Sequence, residues 1–131
     1  MLSQQRRHEL ATAAIEAKGN AYSRYSNFPV GAALLAHDGT VIKGASIDNA
    51  SYGATICAER TAIVKAVSDG FKSFAALAIV ANVPRISPCG MCRQVIAEFC
   101  APDMPVLLVP GDYPKEGSEV KETTFGELFP Q

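Results

Sequence analysis

Three cysteines in two clusters limit what this chain can fold into more than any other feature. The first cluster is Thr55-Ile56-Cys57-Ala58-Glu59-Arg60, and the second is Ser87-Pro88-Cys89-Gly90-Met91-Cys92-Arg93-Gln94. Cys89 and Cys92 are spaced to share one face of a helix. Cys57 and Glu59 are offset by two, so one can hold a metal while the other reaches over it. Thiolates are soft donors that favour zinc. A catalytic zinc takes three protein ligands and keeps a position open for water. Cys57, Cys89 and Cys92 supply the three, and Glu59 stands where a proton shuttle is needed.

Both clusters sit at expected helix starts. Pro88 favours a turn into a helix that begins at Cys89 and Gly90, and Cys57 opens a helix of its own. Helix N-termini carry partial positive charge and unpaired N–H groups, which stabilise thiolates. Three thiolates around one Zn2+ leave excess negative charge, and the two helix ends together with Arg60 can offset it. The plainer readings are a closed structural zinc site or buried thiols. A structural site needs a fourth ligand. Cys100 lies about 12 Å beyond Cys92 along a continuous helix, and His8 and His37 have no spacing tie to the cluster. Glu59 alone would read as an exposed first-turn acid favoured by the helix dipole; two residues after a ligand, it reads as the shuttle.

The length of 131 residues fits one domain, 1–131, and 48% hydrophobic with 19% charged residues fits a packed globule. The net charge is −1, and the twelve Lys and Arg are scattered. Nucleic-acid binding runs on clustered basic residues, so no nucleic-acid partner is expected. No apolar run approaches the ~20 residues of a membrane span. The N-terminus is polar and lacks the apolar core of a signal peptide, so a cytoplasmic location is expected, with the cysteines as reduced ligands rather than disulfides.

Along the chain, residues 3–18 read as a helix capped by Ser3, with Leu10, Ala14 and Ala17 inward. Residues 22–29 form an aromatic-rich loop. Strands are expected at 30–36 and 41–47, joined by a turn at His37-Asp38-Gly39-Thr40. Residues 57–69 read as a helix with Ala62, Ile63, Ala66 and Val67 in one stripe, and 74–81 as a strand buried on both faces. A helix at 89–99, a strand at 105–109, an edge strand at 119–123 and a short helix at 124–129 follow. The order implies an α/β fold of three layers, α/β/α, around a mixed sheet of about five strands.

Tyr25-Ser26-Asn27-Phe28-Pro29-Val30-Gly31-Ala32-Ala33-Leu34, Asn49-Ala50-Ser51-Tyr52-Gly53 and the two cysteine clusters together resemble the small cytidine deaminases, over nearly the whole chain and in the same order. The Cys-Ala-Glu and Pro-Cys-x-x-Cys pair marks the wider group of zinc deaminases, in which the glutamate is not a ligand. The Asn-Phe-Pro-Val-Gly-Ala-Ala segment narrows the likeness to the small nucleoside enzymes. The resemblance implies Zn2+ on Cys57, Cys89 and Cys92, with Glu59 as the proton shuttle. It sets Phe28 beside a nucleoside substrate, the backbone of Ala58 near the leaving amino group, and Arg60 against the ligand thiolates. It also implies a homotetramer, with Ala50 and Tyr52 near a neighbour's site.

Two departures stand out. Ser46 and Asp48 occupy positions where the family usually has Asn and Glu gripping the ribose; both are shorter, so a looser grip on the sugar is expected. No aromatic follows Phe129, where the family usually has one that stacks on the base, which leaves Phe125 and Phe129 as substitutes. Blasticidin S deaminase shares the metal motifs but diverges at the sugar-contacting positions, so deamination of another aminopyrimidine nucleoside is the alternative activity. A catalytically silent zinc-stabilised binding module is a third reading, disfavoured by the intact Glu59.

Overall fold

Ser3 starts the first helix by accepting a hydrogen bond from the Arg6 N–H at 3.1 Å, and α1 runs Gln4–Lys18. The computed structural model describes residues 2–51, 54–81, 90–115 and 119–128, with backbone alone at 81 and 90–93. After α1 come β1 (Val30–Ala36), β2 (Val41–Ala45), α2 (Ala58–Ser68), β3 (Phe74–Ala81), α3 (Gly90–Phe99), β4 (Pro105–Pro110), β5 (Lys121–Thr124) and α4 (Phe125–Leu128).

The strands form one mixed sheet in the order β2-β1-β3-β4-β5. β1 pairs antiparallel with β2 and with β3, β3 and β4 are parallel, and β5 returns antiparallel to β4. The β1–β2 hairpin turns at Gly39, whose φ of 93° suits glycine, and Asp38 Oδ1 accepts from the Thr40 N–H at 2.9 Å. The parallel β3–β4 pair requires a long crossover, which contains α3.

Alternation along the strands divides the core in two. Ala32, Leu34, Leu77, Ile79 and Val106 face α2 and α3, where Ala58, Ala62, Ile63, Ala66 and Ile96 are buried. Ala33, Leu35, Ala78, Val80 and Leu107 face the other way, onto Leu10, Ala11 and Ala14 of α1. Helices therefore cover both faces, giving the three layers expected from the sequence. Among the described residues no helix is long and apolar enough to cross a membrane.

Small residues set how closely α2 approaches the sheet. A Cβ on Gly44 would lie 2.7 Å from the Ala58 carbonyl oxygen and against the Ala62 backbone nitrogen. These are backbone atoms of the helix that carries Glu59 and follows Cys57, and they can yield only if α2 moves. Gly44→Ala is therefore expected to cost about 1–3 kcal/mol, as overpacking does, and to lower activity by displacing the N-terminus of α2. Chemical denaturation of the variant, with its kcat measured alongside, checks this.

Candidate active site

The N-terminal end of α2 opens onto a cavity of about 270 Å³. Three separate segments wall it: Ser26 and Phe28 of the 22–29 loop with Val30 at the start of β1, Ser46 and Asp48 after β2, and 55–59 at the start of α2. What joins them is a pair of backbone bridges outside the main sheet. Ile47 exchanges hydrogen bonds with Ile56, both at 2.9 Å, while the Tyr22 N–H donates to Ser46 O at 2.9 Å and the Asp48 N–H to Tyr22 O at 2.8 Å. β2 thus ends at Ala45, before the expected 47, because the chain leaves the ladder there to pair with residues 22 and 56.

Cys57 is the N-cap of α2, with extended backbone (φ −70°, ψ 155°) and no capping hydrogen bond from its side chain. The helix begins one residue later than expected. That places the thiol at the positive end of the helix, where the N–H groups of the first turn lack intrahelical acceptors. Glu59 lines the same cavity and is only 4% exposed. A buried carboxylate is uncommon in a protein interior, and this one stands in the wall of a cavity that a thiol also lines. Ala58 is fully buried between them.

Arg60 donates from Nη2 to the Thr55 carbonyl at 2.7 Å. Its Nε is buried and has no acceptor among the described residues. A buried guanidinium donor left over at the end of the helix that Cys57 caps calls for an anion, and a zinc-bound thiolate cluster is one. The donor chemistry therefore fits zinc. Cys89 lies outside the described residues, and Cys92 is placed only by its backbone in the first turn of α3, a helix that packs against α2. Among the described residues, accordingly, no group of three potential ligands is assembled.

Both residues that depart from the family pattern are buried in the cavity wall, and both serve the backbone. Ser46 Oγ accepts from the Val30 N–H at 3.0 Å. Asp48 Oδ2 accepts from the N–H groups of Ser26 at 2.8 Å and Tyr25 at 3.1 Å. These bonds, that of Ser26 foremost, hold the Asp48 carboxyl below the usual carboxylate range. Phe28 reaches the cavity from a half-exposed position. Ala50 is exposed on the loop after Asp48, and Tyr52 lies outside the described residues. Phe125 is 3% exposed in the core, which rules it out as a stacking residue; Phe129 lies outside the described residues.

The sequence reading placed Thr55 and Ile56 with the first cysteine cluster but gave them no role in the cavity, and it did not foresee the bonding of Ser26 to Asp48. Only the position of Thr55 and Ile56 next to Cys57 could have flagged them. Two larger depressions, of about 500 and 450 Å³, lie along α1. Among the described residues no cysteine lines either of them, and both include His8, whereas the smaller cavity brings Cys57 and Glu59 together.

The model of the cytidine and deoxycytidylate deaminase zinc-binding region matches residues 4–108. The chain belongs to the cytidine deaminase family. It is 54% identical over 116 residues to the cytidine deaminase of Sporosarcina psychrophila, covering 88% of this chain and 82% of the relative. With the cytidine deaminase of Halalkalibacterium halodurans it shares 50% over 127 residues, covering 95% and 91%. Among solved structures, the cytidine deaminase from Burkholderia pseudomallei superposes with a TM-score of 0.86 at 42% identity, covering 99% of this chain and 98% of that one. Zinc is the metal of this deaminase family, in accord with a thiol at the positive end of α2 and an unmet Arg60 donor.

Proposed function

We propose that the whole chain, as one domain, is a zinc-dependent hydrolase that converts cytidine and 2′-deoxycytidine to uridine and 2′-deoxyuridine, releasing ammonia. The observation that carries this reading is the meeting of Cys57 and buried Glu59 in one cavity at the N-terminus of α2. Cys57, Cys89 and Cys92 would hold the zinc, and Arg60 would donate to the thiolates. Bound there, the ion would supply Lewis acidity and a water acidified toward neutrality.

Glu59 takes the proton that the attacking water gives up and places it on N3 of the pyrimidine. Oxygen adds at C4. Glu59, again a carboxylate, then takes the remaining proton from the oxygen on C4 and delivers it to the amino group; the C4–N bond breaks as the C4 carbonyl forms, and ammonia leaves. Atoms balance as one water consumed for one ammonia released. Phe28 would pack against the nucleoside, the Ala58 backbone would meet the amino group, and Ser46 and Asp48 would shape the wall on the sugar side. Glu59 is screened from bulk water by its burial, which keeps its proton for the substrate.

An ammonia-release comparison of cytidine, 2′-deoxycytidine, cytosine, CMP and blasticidin S tests the assignment. The two nucleosides are expected to give the highest kcat/KM; turnover of blasticidin S alone would move the assignment to that alternative, and turnover of none would leave the silent zinc module.

The assembly we propose is a homotetramer, in which Ala50 and Tyr52 of one subunit lie near the site of another. Half-exposed Tyr22, Tyr25, Phe28, Ile47 and Ile56 support it, since they gather apolar surface on the segments that wall the cavity. Light scattering is expected to give a mass near four times 13.9 kDa, and a monomer at micromolar concentration would contradict it. Reduced thiolate ligands go with a cytoplasmic place of work.

A further inference from the structure

The loop 22–29 carries Phe28 to the cavity with little packing of its own: Tyr22, Tyr25 and Phe28 are all more than two-fifths exposed. Its shape comes from hydrogen bonds. The Asn27 N–H reaches Ser23 O at 2.9 Å, and Asn27 takes a left-handed φ of 55° that turns the chain toward Phe28. Ser26 Oγ accepts the Phe28 N–H at 3.1 Å. Among the described residues, Asp48 ties this turn to the rest of the protein: its Oδ2 takes two successive loop N–H groups while its own N–H holds Tyr22 O. Charge-assisted bonds of this kind are about twice as strong as neutral ones.

We infer that Asp48 is a positioning residue, whose Oδ2 clamps the 22–29 turn so that Phe28 stands in the cavity, and that substrate affinity depends on Asp48 through Phe28. This deepens the proposed deaminase reading and rests on it. An Asp at this place keeps its carboxylate close to its own backbone, within reach of the loop amides. A Glu would carry it roughly 1–1.5 Å further out. The shorter side chain, which looked like a weakened grip on the sugar, is the length that the loop requires. Release of the clamp leaves Cys57 and Glu59 on α2 undisturbed, so binding should suffer and chemistry should not.

The test compares Asp48→Ala with wild type on cytidine and on 2′,3′-dideoxycytidine, which lacks the sugar hydroxyls a direct grip would use. Either compound serves as a competitive inhibitor if it is not turned over. If the competent loop population falls to about a tenth, KM or Ki rises about tenfold for both, with kcat on cytidine little changed. Asp48→Asn, which keeps one acceptor oxygen and guards against a failure to fold, is expected to give a smaller rise, again equal for the two compounds. Combining Asp48→Ala with Phe28→Ala is expected to cost less than the sum of the two, because both act through one contact. A loss on cytidine alone in either variant, additive effects with Phe28→Ala, or a fall in kcat at unchanged KM would overturn the inference. If wild type binds and deaminates no cytosine nucleoside, the deaminase reading itself fails, which is a separate outcome.

Discussion

Glu59→Gln is expected to keep its zinc and its fold and to lose at least ~10²-fold in kcat on cytidine, the lower range for removal of a general acid and base. The side chain is 4% exposed at the start of α2, and glutamine has nearly its shape, so the cavity wall stays in place. What goes is the ability to take a proton from water and return it to N3 and to the amine. Because one group serves several transfers, no single later step can compensate. KM should move far less than kcat, since the substituted atoms act on protons and not on the nucleoside as a whole. Near-normal turnover in a variant with full zinc would remove Glu59 from the chemistry.

Chelation is the second large effect. The purified protein is expected to hold about one zinc per chain, and a strong chelator is expected to abolish turnover, with zinc restoring it. A second readout comes from the thiols. Cys100 is buried, and burial pushes its thiol up to about 12, so it stays protonated and slow towards alkylating reagents. Reactivity that appears on chelation should therefore belong to Cys57, Cys89 and Cys92. Metal-free protein should also melt at a lower temperature, because ligand binding free energy is lost from the folded state. Full activity without zinc, or no new reactive thiol on its removal, would contradict the ligand assignment.

The layers were legible in the sequence because their signals are periodic. The run 74–81 is apolar throughout and forms β3 over the same residues, and Leu10, Ala14 and Ala17 mark the buried face of α1. The meeting of Cys57 and Glu59 in one cavity was legible for a different reason: they lie two residues apart at an expected helix start, so one short segment carries both groups. Contacts made by the backbone across long separations were not. Nothing periodic announces that Ile47 pairs with Ile56, or that Asp48 holds the amides of residues 25 and 26. For the same reason Ser46 and Asp48 read from sequence as shortened sugar contacts, while the fold also uses Ser46 as an acceptor for the first amide of β1 and Asp48 as an acceptor for two loop amides. Phe125 reads from sequence as a substitute for the aromatic that stacks on the base, but it follows β5 directly and is drawn into the core.

The most direct test of zinc-dependent cytidine deamination is product analysis of cytidine incubated with the zinc-loaded protein. Uridine and ammonia should form in equal amounts, catalytically and in proportion to bound zinc. Cytidine left intact by a fully zinc-loaded, folded sample would contradict the account.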